Sequence, residues 1–263
     1  MDWNGRGVVI TGASRGLGER LARWFAKRGA QVALVARGRE ELERVTASIV
    51  AEGGRAHAIA ADVGDKEAIY GIAGAAAELV GPIDVVVHAA SSLGPLPMPL
   101  LLDTACEDLL AVLETNLLGP FRLTKALAGP MVLRGRGVVV FVSSDAAVNG
   151  YPRWGAYGVS KAAQDHLGRI WAAELEGTGV QFLSIDPGDM NTKMHRDAIP
   201  DADPATLLDP AVVAARIGTI LAHRHRIPSG TRLEARTAAA DDEHANENKD
   251  ANAKKNENER SSV

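Results

Sequence analysis

The sequence predicts a single α/β domain, a doubly wound parallel sheet with helices on both faces. Three observations predict it. Short β-branched runs alternate with longer amphipathic stretches along most of the chain. Several of those runs are apolar throughout, such as Val138-Val139-Val140-Phe141-Val142, which suits strands covered on both faces. Strand followed by helix, repeated, implies right-handed βαβ crossovers, with ligands bound outside the carboxyl ends of the strands.

Strands are predicted over residues 7–10, 31–36, 56–60, 85–89, 137–143 and 181–185, where small and β-branched apolar residues cluster. Helical patterns fill residues 17–28, 39–52, 65–80, 106–127, 155–176 and 210–223. Two loops break the rhythm. Residues 91–99 are rich in Gly and Pro, and residues 186–210 hold three further prolines between their ends. Both follow a strand, so both are expected to border a site; ordinary surface loops are the alternative. No repeat of solenoid period is present.

Composition agrees with this layout. The chain has 263 residues, of which 46% are apolar and only 4% aromatic, so Ala, Val, Leu and Gly carry the core. A net charge of −4 gives no pull toward nucleic acid or an anionic membrane. The single cysteine, Cys106, cannot form an intrachain disulfide and is expected to be a small core residue. Met1-Asp2-Trp3-Asn4-Gly5 lacks the basic and apolar regions of a signal peptide, and no apolar run reaches the length of a membrane span. A cytoplasmic, soluble protein is expected. The globular domain is expected over residues 1–239, and residues 240–263, polar and without an aromatic, are expected to be disordered.

Five features carry chemistry. Thr11-Gly12-Ala13-Ser14-Arg15-Gly16-Leu17-Gly18 joins the first strand to the first helix. Glycine lets the backbone turn sharply and approach a phosphate, and the helix N-terminus presents free N–H groups to the anion. At the end of the second strand, Ala36-Arg37 stands where an NAD site places an acidic residue. Arg15 converges on the same place, and two guanidiniums suit a phosphate on the adenosine ribose. Their joint placement favours NADP(H); two solvated surface arginines are the alternative.

Tyr157 and Lys161 are four apart and share a helix face. A phenol, with a pKa near ~10, is a poor acid–base group at neutral pH. Lowering it by roughly three units takes about 4 kcal/mol, which a nearby ammonium at an effective dielectric of ~20 supplies. A surface Tyr beside a solvated Lys is the alternative. Ser144, in Ser143-Ser144-Asp145 at the end of the fifth strand, can hydrogen-bond a substrate carbonyl or cap a turn. Asn116 interrupts an apolar helical pattern, where a buried Asn asks for a polar partner.

In this order, the five features resemble the short-chain dehydrogenase/reductase family, over residues 5–234. The resemblance implies a single-domain Rossmann fold and an oxidoreductase that moves a hydride between NADP(H) and a carbonyl or alcohol. It implies that Gly12, Gly16 and Gly18 cradle the cofactor diphosphate, with Ser14 and Leu17 between them. Asp62-Val63 would contact the adenine, Ala89 would lie beside the cofactor, and Pro187-Gly188 and Thr192 would meet the nicotinamide carboxamide. Asn116, Ser144, Tyr157 and Lys161 match the family's catalytic tetrad. Tyr is the acid–base group and Ser polarises the carbonyl. Lys binds the ribose and lowers the Tyr pKa. Asn holds a water that links Lys to solvent.

The substrate pocket is expected from Asp145, Tyr151, Trp154, Met190 and Met194, with the 92–99 loop. No metal is called for, and the partner is a small-molecule carbonyl or alcohol. Two departures stand out. His88-Ala89-Ala90-Ser91 replaces the usual Asn-Asn-Ala-Gly, which makes His88 a structural residue and puts a side chain, Ser91, near the cofactor. The glycine-rich ending after Glu234 is missing, which argues against a tetramer built on the last strand and leaves a dimer through the helices of Asn116 and Tyr157. A non-catalytic NADP(H)-binding sensor or scaffold on the same fold is the competing reading.

Overall fold

Seven strands form one parallel sheet in the order β3-β2-β1-β4-β5-β6-β7. They are β1 Gly7–Thr11, β2 Gln31–Ala36, β3 Arg55–Ala60, β4 Ile83–His88, β5 Gly137–Val142, β6 Val180–Asp186 and β7 Arg232–Glu234. The helices are α1 Gly16–Ala26, α2 Arg39–Ala51, α3 Ile69–Val80, α4 Cys106–Leu113, α5 Gly119–Leu133, α6 Gly155–Glu174, α7 Lys193–Ala198 and α8 Pro210–Ala222. The computed structural model describes residues 2–236. The predicted polar tail, 240–263, lies outside the described residues.

The continuous apolar runs become strands buried on both sides. Side chains alternate along a strand, so Val8, Val85 and Val138 face one core with Leu21, Phe25 and Ile217 from α1 and α8. Their neighbours Val9, Val86 and Val139 face the other core with Ile72, Leu123 and Met131 from α3 and α5. In-register pairing sets Thr11 beside His88, His88 beside Phe141, and Phe141 beside Ser184. The carboxyl ends of the central strands therefore lie along one edge, where the chemistry-bearing turns emerge.

The structure departs from the predicted elements in four places. The helix predicted from 65 begins at Ile69, because Asp62 and Asp65 accept from Gly64 N and Glu67 N and hold a turn there. The helix predicted over 106–127 is three pieces. A π-helical segment, Glu114–Leu118, separates α4 from α5, and α5 continues through Pro130 because Leu127, Ala128 and Met131 are buried. Cys106 is exposed at the start of α4, not in the core. The short polar elements α7 and β7 carry no apolar period long enough to predict.

Candidate active site

The turn between β1 and α1 has no room for side chains at two of its glycines. Gly12 has φ of 68°, and a Cβ there would lie 2.6 Å from Ala90 N. A Cβ on Gly18 would collide with the Gly12 carbonyl. Thr11 Oγ1 accepts from Ala90 N at 3.1 Å and fixes β4 against the turn. Arg15, the cap residue of α1, makes no side-chain cap hydrogen bond. The helix N-terminus thus faces a cleft that suits a diphosphate.

That cleft has a volume of about 430 Å³. Gly12, Ser14, Arg15, Gly16, Leu17 and Gly18 line one wall. Arg37, Asp62, Val63 and Ala89 line the side next to β2 and β4. Tyr157, Lys161, Pro187, Met190, Thr192 and Met194 also line it, with Thr192 close to Gly16. Gly188 sits just behind, with φ of 71° and its N–H on Asp186 Oδ1 at 2.9 Å. The Arg15 and Arg37 guanidiniums are exposed, and each rests against an acid: Arg15 on Glu41 at 2.7 Å, Arg37 on Asp62 at 3.8 Å. These pairs sit in solvent and are weak, so the arginines are free to exchange them for a phosphate.

Tyr157, Ser160, Lys161 and Gln164 lie on the buried face of α6. Burial pushes the Tyr157 phenol up to about 12, with Asp186 and Asp145 adding to the rise. Hydrogen bonds with Ser144 and Ser91 act the other way. Lys161 lies with Nζ 5.7 Å from the Tyr157 ring centroid. Its ammonium donates to Val142 O at 2.8 Å, and burial pulls it down to about 8, while Asp165 opposes the fall. The resemblance implied that Lys161 lowers the phenol; in this structure the largest effect on the phenol is burial, which raises it.

Asn116 is wholly buried at the centre of the π segment, as π turns often are at functional sites. Its side chain has the polar partners the sequence called for. Oδ1 accepts from Ser92 N at 2.7 Å and Ser91 Oγ at 3.3 Å; Nδ2 donates to Ser92 O and Ser160 Oγ, both at 2.9 Å. Asn116 therefore clamps the 91–92 backbone against α6.

Of the two functions considered for Ser144, the structure shows the turn cap. Its Oγ accepts from Ala146 N at 3.2 Å, capping a short turn, and it is hydrogen-bonded with the Tyr157 phenol. It also donates to Asp145 Oδ1 at 3.1 Å, and Tyr151 OH donates to Asp145 Oδ2 at 2.9 Å. Trp154 meets Tyr157 edge-on at 5.7 Å and Tyr151 at 6.4 Å. Of the five expected pocket residues, Trp154 and Met194 pack in one apolar cluster with Tyr157, Asp145 and Tyr151 are hydrogen-bonded to each other, and Met190 and Met194 line the cleft.

His88 is structural. It is buried, its Nε2 is 2.9 Å from Thr124 Oγ1, and its ring stacks on Phe141 at 5.2 Å. Burial, with a smaller push from Lys161, lowers its pKa to about 3, so it is neutral. Two groups escaped the sequence reading. Gln164 lies between Lys161 and Asn116, and a buried ion triad joins Asp165 and Asp186 to Arg232. For Gln164 the signal was there: a polar residue three places past Lys161, on the same helix face.

A model of the short chain dehydrogenases matches residues 6–203. A short chain dehydrogenase of Pseudocercospora fijiensis is 36% identical over 212 residues, covering 78% of this chain and 67% of that protein. Among solved structures, a short chain dehydrogenase from Shigella flexneri complexed with NADP aligns with a TM-score of 0.81 and 28% identity. It covers 89% of this chain and 98% of that one. NAD+-bound xylitol dehydrogenase aligns with a TM-score of 0.80 and 25% identity, covering 89% of this chain and 98% of that one. Fold, motif order and these likenesses agree: the chain is an oxidoreductase of the short-chain dehydrogenase/reductase family.

Proposed function

We propose that the protein is an NADP(H)-dependent oxidoreductase that interconverts a carbonyl and an alcohol, with Tyr157 as general acid–base. The observation that carries this is the Tyr157 phenol, buried, hydrogen-bonded with Ser144, and lining the same cleft as the Gly12–Gly18 turn. Gly12 and Gly18 let the backbone close on the diphosphate. Arg15 and Arg37 supply the cations for a phosphate on the adenosine ribose, with no acid at Ala36 to oppose it. Solved relatives carry either NADP or NAD+, so the choice of NADP(H) rests on these two arginines.

NADPH, which the Gly12–Gly18 turn, Arg15 and Arg37 would hold, would supply the hydride. Ser144 orients the carbonyl oxygen beside the phenol, and Tyr157, protonated at neutral pH, gives that oxygen its proton. Lys161 stands one turn further along α6, on the cleft wall, where its ammonium would hold the ribose hydroxyls. Trp154 and Tyr151 shield the phenol on the outer side. No helix among the described residues is long and apolar enough to cross a membrane. Leu110, Val159 and Ile170, exposed on α4 and α6, support a homodimer through these helices.

The test is consumption of NADPH with a panel of ketones, aldehydes and keto-esters, each repeated with NADH. Turnover with NADPH and slow turnover with NADH supports the assignment. No consumption across the panel, with NADPH bound, would favour a sensor instead.

A further inference from the structure

Gln164 takes no part in the reading above, yet it is wholly buried between two of its residues. Its side-chain amide is used at both ends. Oε1 accepts from Lys161 Nζ at 3.4 Å, and Nε2 donates to the main-chain carbonyl of Asn116 at 2.7 Å. The chain itself explains why that carbonyl needs a donor. In an α-helix the carbonyl of residue 116 would accept from the N–H of residue 120, and residue 120 is proline, which has none. The π segment offsets the ladder here, so the backbone alternative is the N–H of Phe121, and the Gln164 amide is a side-chain donor to the same carbonyl. The resemblance implies a water held by Asn116; a side chain on α6 also reaches this residue, at its main-chain carbonyl.

We propose that Gln164 is a positioning residue for Lys161, its amide bridging the ammonium to the Asn116 carbonyl. The amide is held at both ends, so it cannot turn over to accept and pass a proton as a water does. Its work is electrostatic. The carbonyl end of its dipole faces the ammonium and keeps a buried Lys charged. This rests on the reading of Lys161 as a cation serving the proton-transfer centre.

Gln164 shares this work with Val142 O, which accepts from the ammonium at 2.8 Å, and with Asp165, whose charge also favours the cation. Asp165, one turn along α6, is shared with Ser143 and Arg232. His88 on β4 is neutral. Tyr157 is protonated, and Asp186 on β6 is paired with Arg232.

The test follows the Lys161 ammonium directly. The full chain, saturated with NADP+, is labelled with 13C at the lysine ε-carbons and titrated by NMR, with Lys161→Met to assign the signal. Gln164→Met removes the acceptor, and the Lys161 pKa is expected to fall by about one unit. Gln164→Glu keeps an acceptor and adds charge, and the pKa is expected to rise. If Gln164→Met does not fold, the Gln164→Glu arm decides alone, by a rise or its absence. Unchanged titration in every folded variant overturns the proposal.

The titration needs no substrate, so the two readings fail separately. Shifted titrations without turnover of any carbonyl would sink the proposed activity and leave the link standing. Turnover with an unmoved titration would do the reverse.

Discussion

Arg232 on β7 is ion-paired with Asp165 on α6, Nε to Oδ2 at 3.1 Å, in the interior of the molecule. The same guanidinium reaches Asp186 Oδ2 at 2.8 Å and the Ser144 carbonyl at 2.9 Å. One side chain thus ties the last strand to the end of β6 and to the turn that carries Ser144. Replacing it by an apolar residue leaves two buried carboxylates unpaired. Arg232→Met is expected to cost about 3–5 kcal/mol of stability, read by urea unfolding at neutral pH. Arg236→Met, at an exposed pair, is the control and is expected to change little. A loss below about 1 kcal/mol for Arg232→Met would show that relaxation of the site compensates.

His88 sets a limit on acid stability. Its pKa is about 3 in the folded protein against an ordinary 6.5, because burial disfavours the cation. A depressed pKa contributes stability that is whole above 6.5 and is lost as the pH falls through 3. At pH 4.5 the unfolded chain has taken the proton and the folded one has not, a difference of about 2–3 kcal/mol. His88→Asn removes the titrating group. Unfolding free energies at pH 7 and 4.5 are expected to diverge less in the variant, by that amount. An equal decline in both proteins would mean that His88 does not carry the acid sensitivity.

Much of this was legible in the sequence, and the reasons differ by element. The turn at 11–18, the second strand's Ala36-Arg37 and the Tyr157–Lys161 spacing are local patterns, so they could be read from neighbours in the chain. The contacts of Gln164 and Arg232 are not local. Gln164 meets Asn116 across 48 residues, and Arg232 meets Asp165 across 67. Nothing in a periodicity encodes such a pairing. The π segment was hidden for another reason: its residues keep an ordinary helical apolar pattern, and the extra backbone step shows only in the hydrogen bonds. Cys106 misled because burial was assigned by residue type and not by its place at a helix start.

Cofactor choice is expected to follow Arg37. A charge-assisted pair to phosphate contributes about 1.5–3 kcal/mol, and exposure to solvent trims this toward the lower end. NADPH is therefore expected to bind at least about tenfold more tightly than NADH. Arg37→Asp places a carboxylate beside the ribose, where it accepts from hydroxyls and repels phosphate, and is expected to weaken or reverse the preference. Dissociation constants for both cofactors on both proteins decide this. Equal affinities in the unmutated protein would remove the argument for NADP(H).

Ser91 is expected to tune the phenol. Its hydroxyl bonds with Tyr157, and turning its proton from Asn116 Oδ1 to the phenol oxygen favours the phenolate. Ser91→Gly deletes that bond without adding bulk. Alcohol oxidation, which needs the phenolate, is expected to slow at neutral pH, its rising limb displaced upward by about one unit. Ser91→Thr is expected to restore it. A pH profile identical in Ser91→Gly and the unmutated protein would show that Ser144 alone sets the phenol.

Tyr157 and Lys161, one helical turn apart on α6, are expected to fail differently when changed. Tyr157→Phe keeps the ring against Trp154 and removes only the hydroxyl. The carbonyl oxygen then has no proton donor, and turnover is expected to fall by about 10²–10⁴-fold or more, with NADPH affinity nearly unchanged. Lys161→Ala removes a buried cation whose ammonium faces the cleft as well as Val142 O. Both turnover and NADPH affinity are expected to fall. Ser144 remains in both variants, so orientation of the carbonyl is common to them and the contrast reports on proton and cofactor separately. Steady-state kinetics and NADPH dissociation constants for the two variants test this. Near-normal turnover in Tyr157→Phe would place the proton donor elsewhere and end the mechanism proposed for this site.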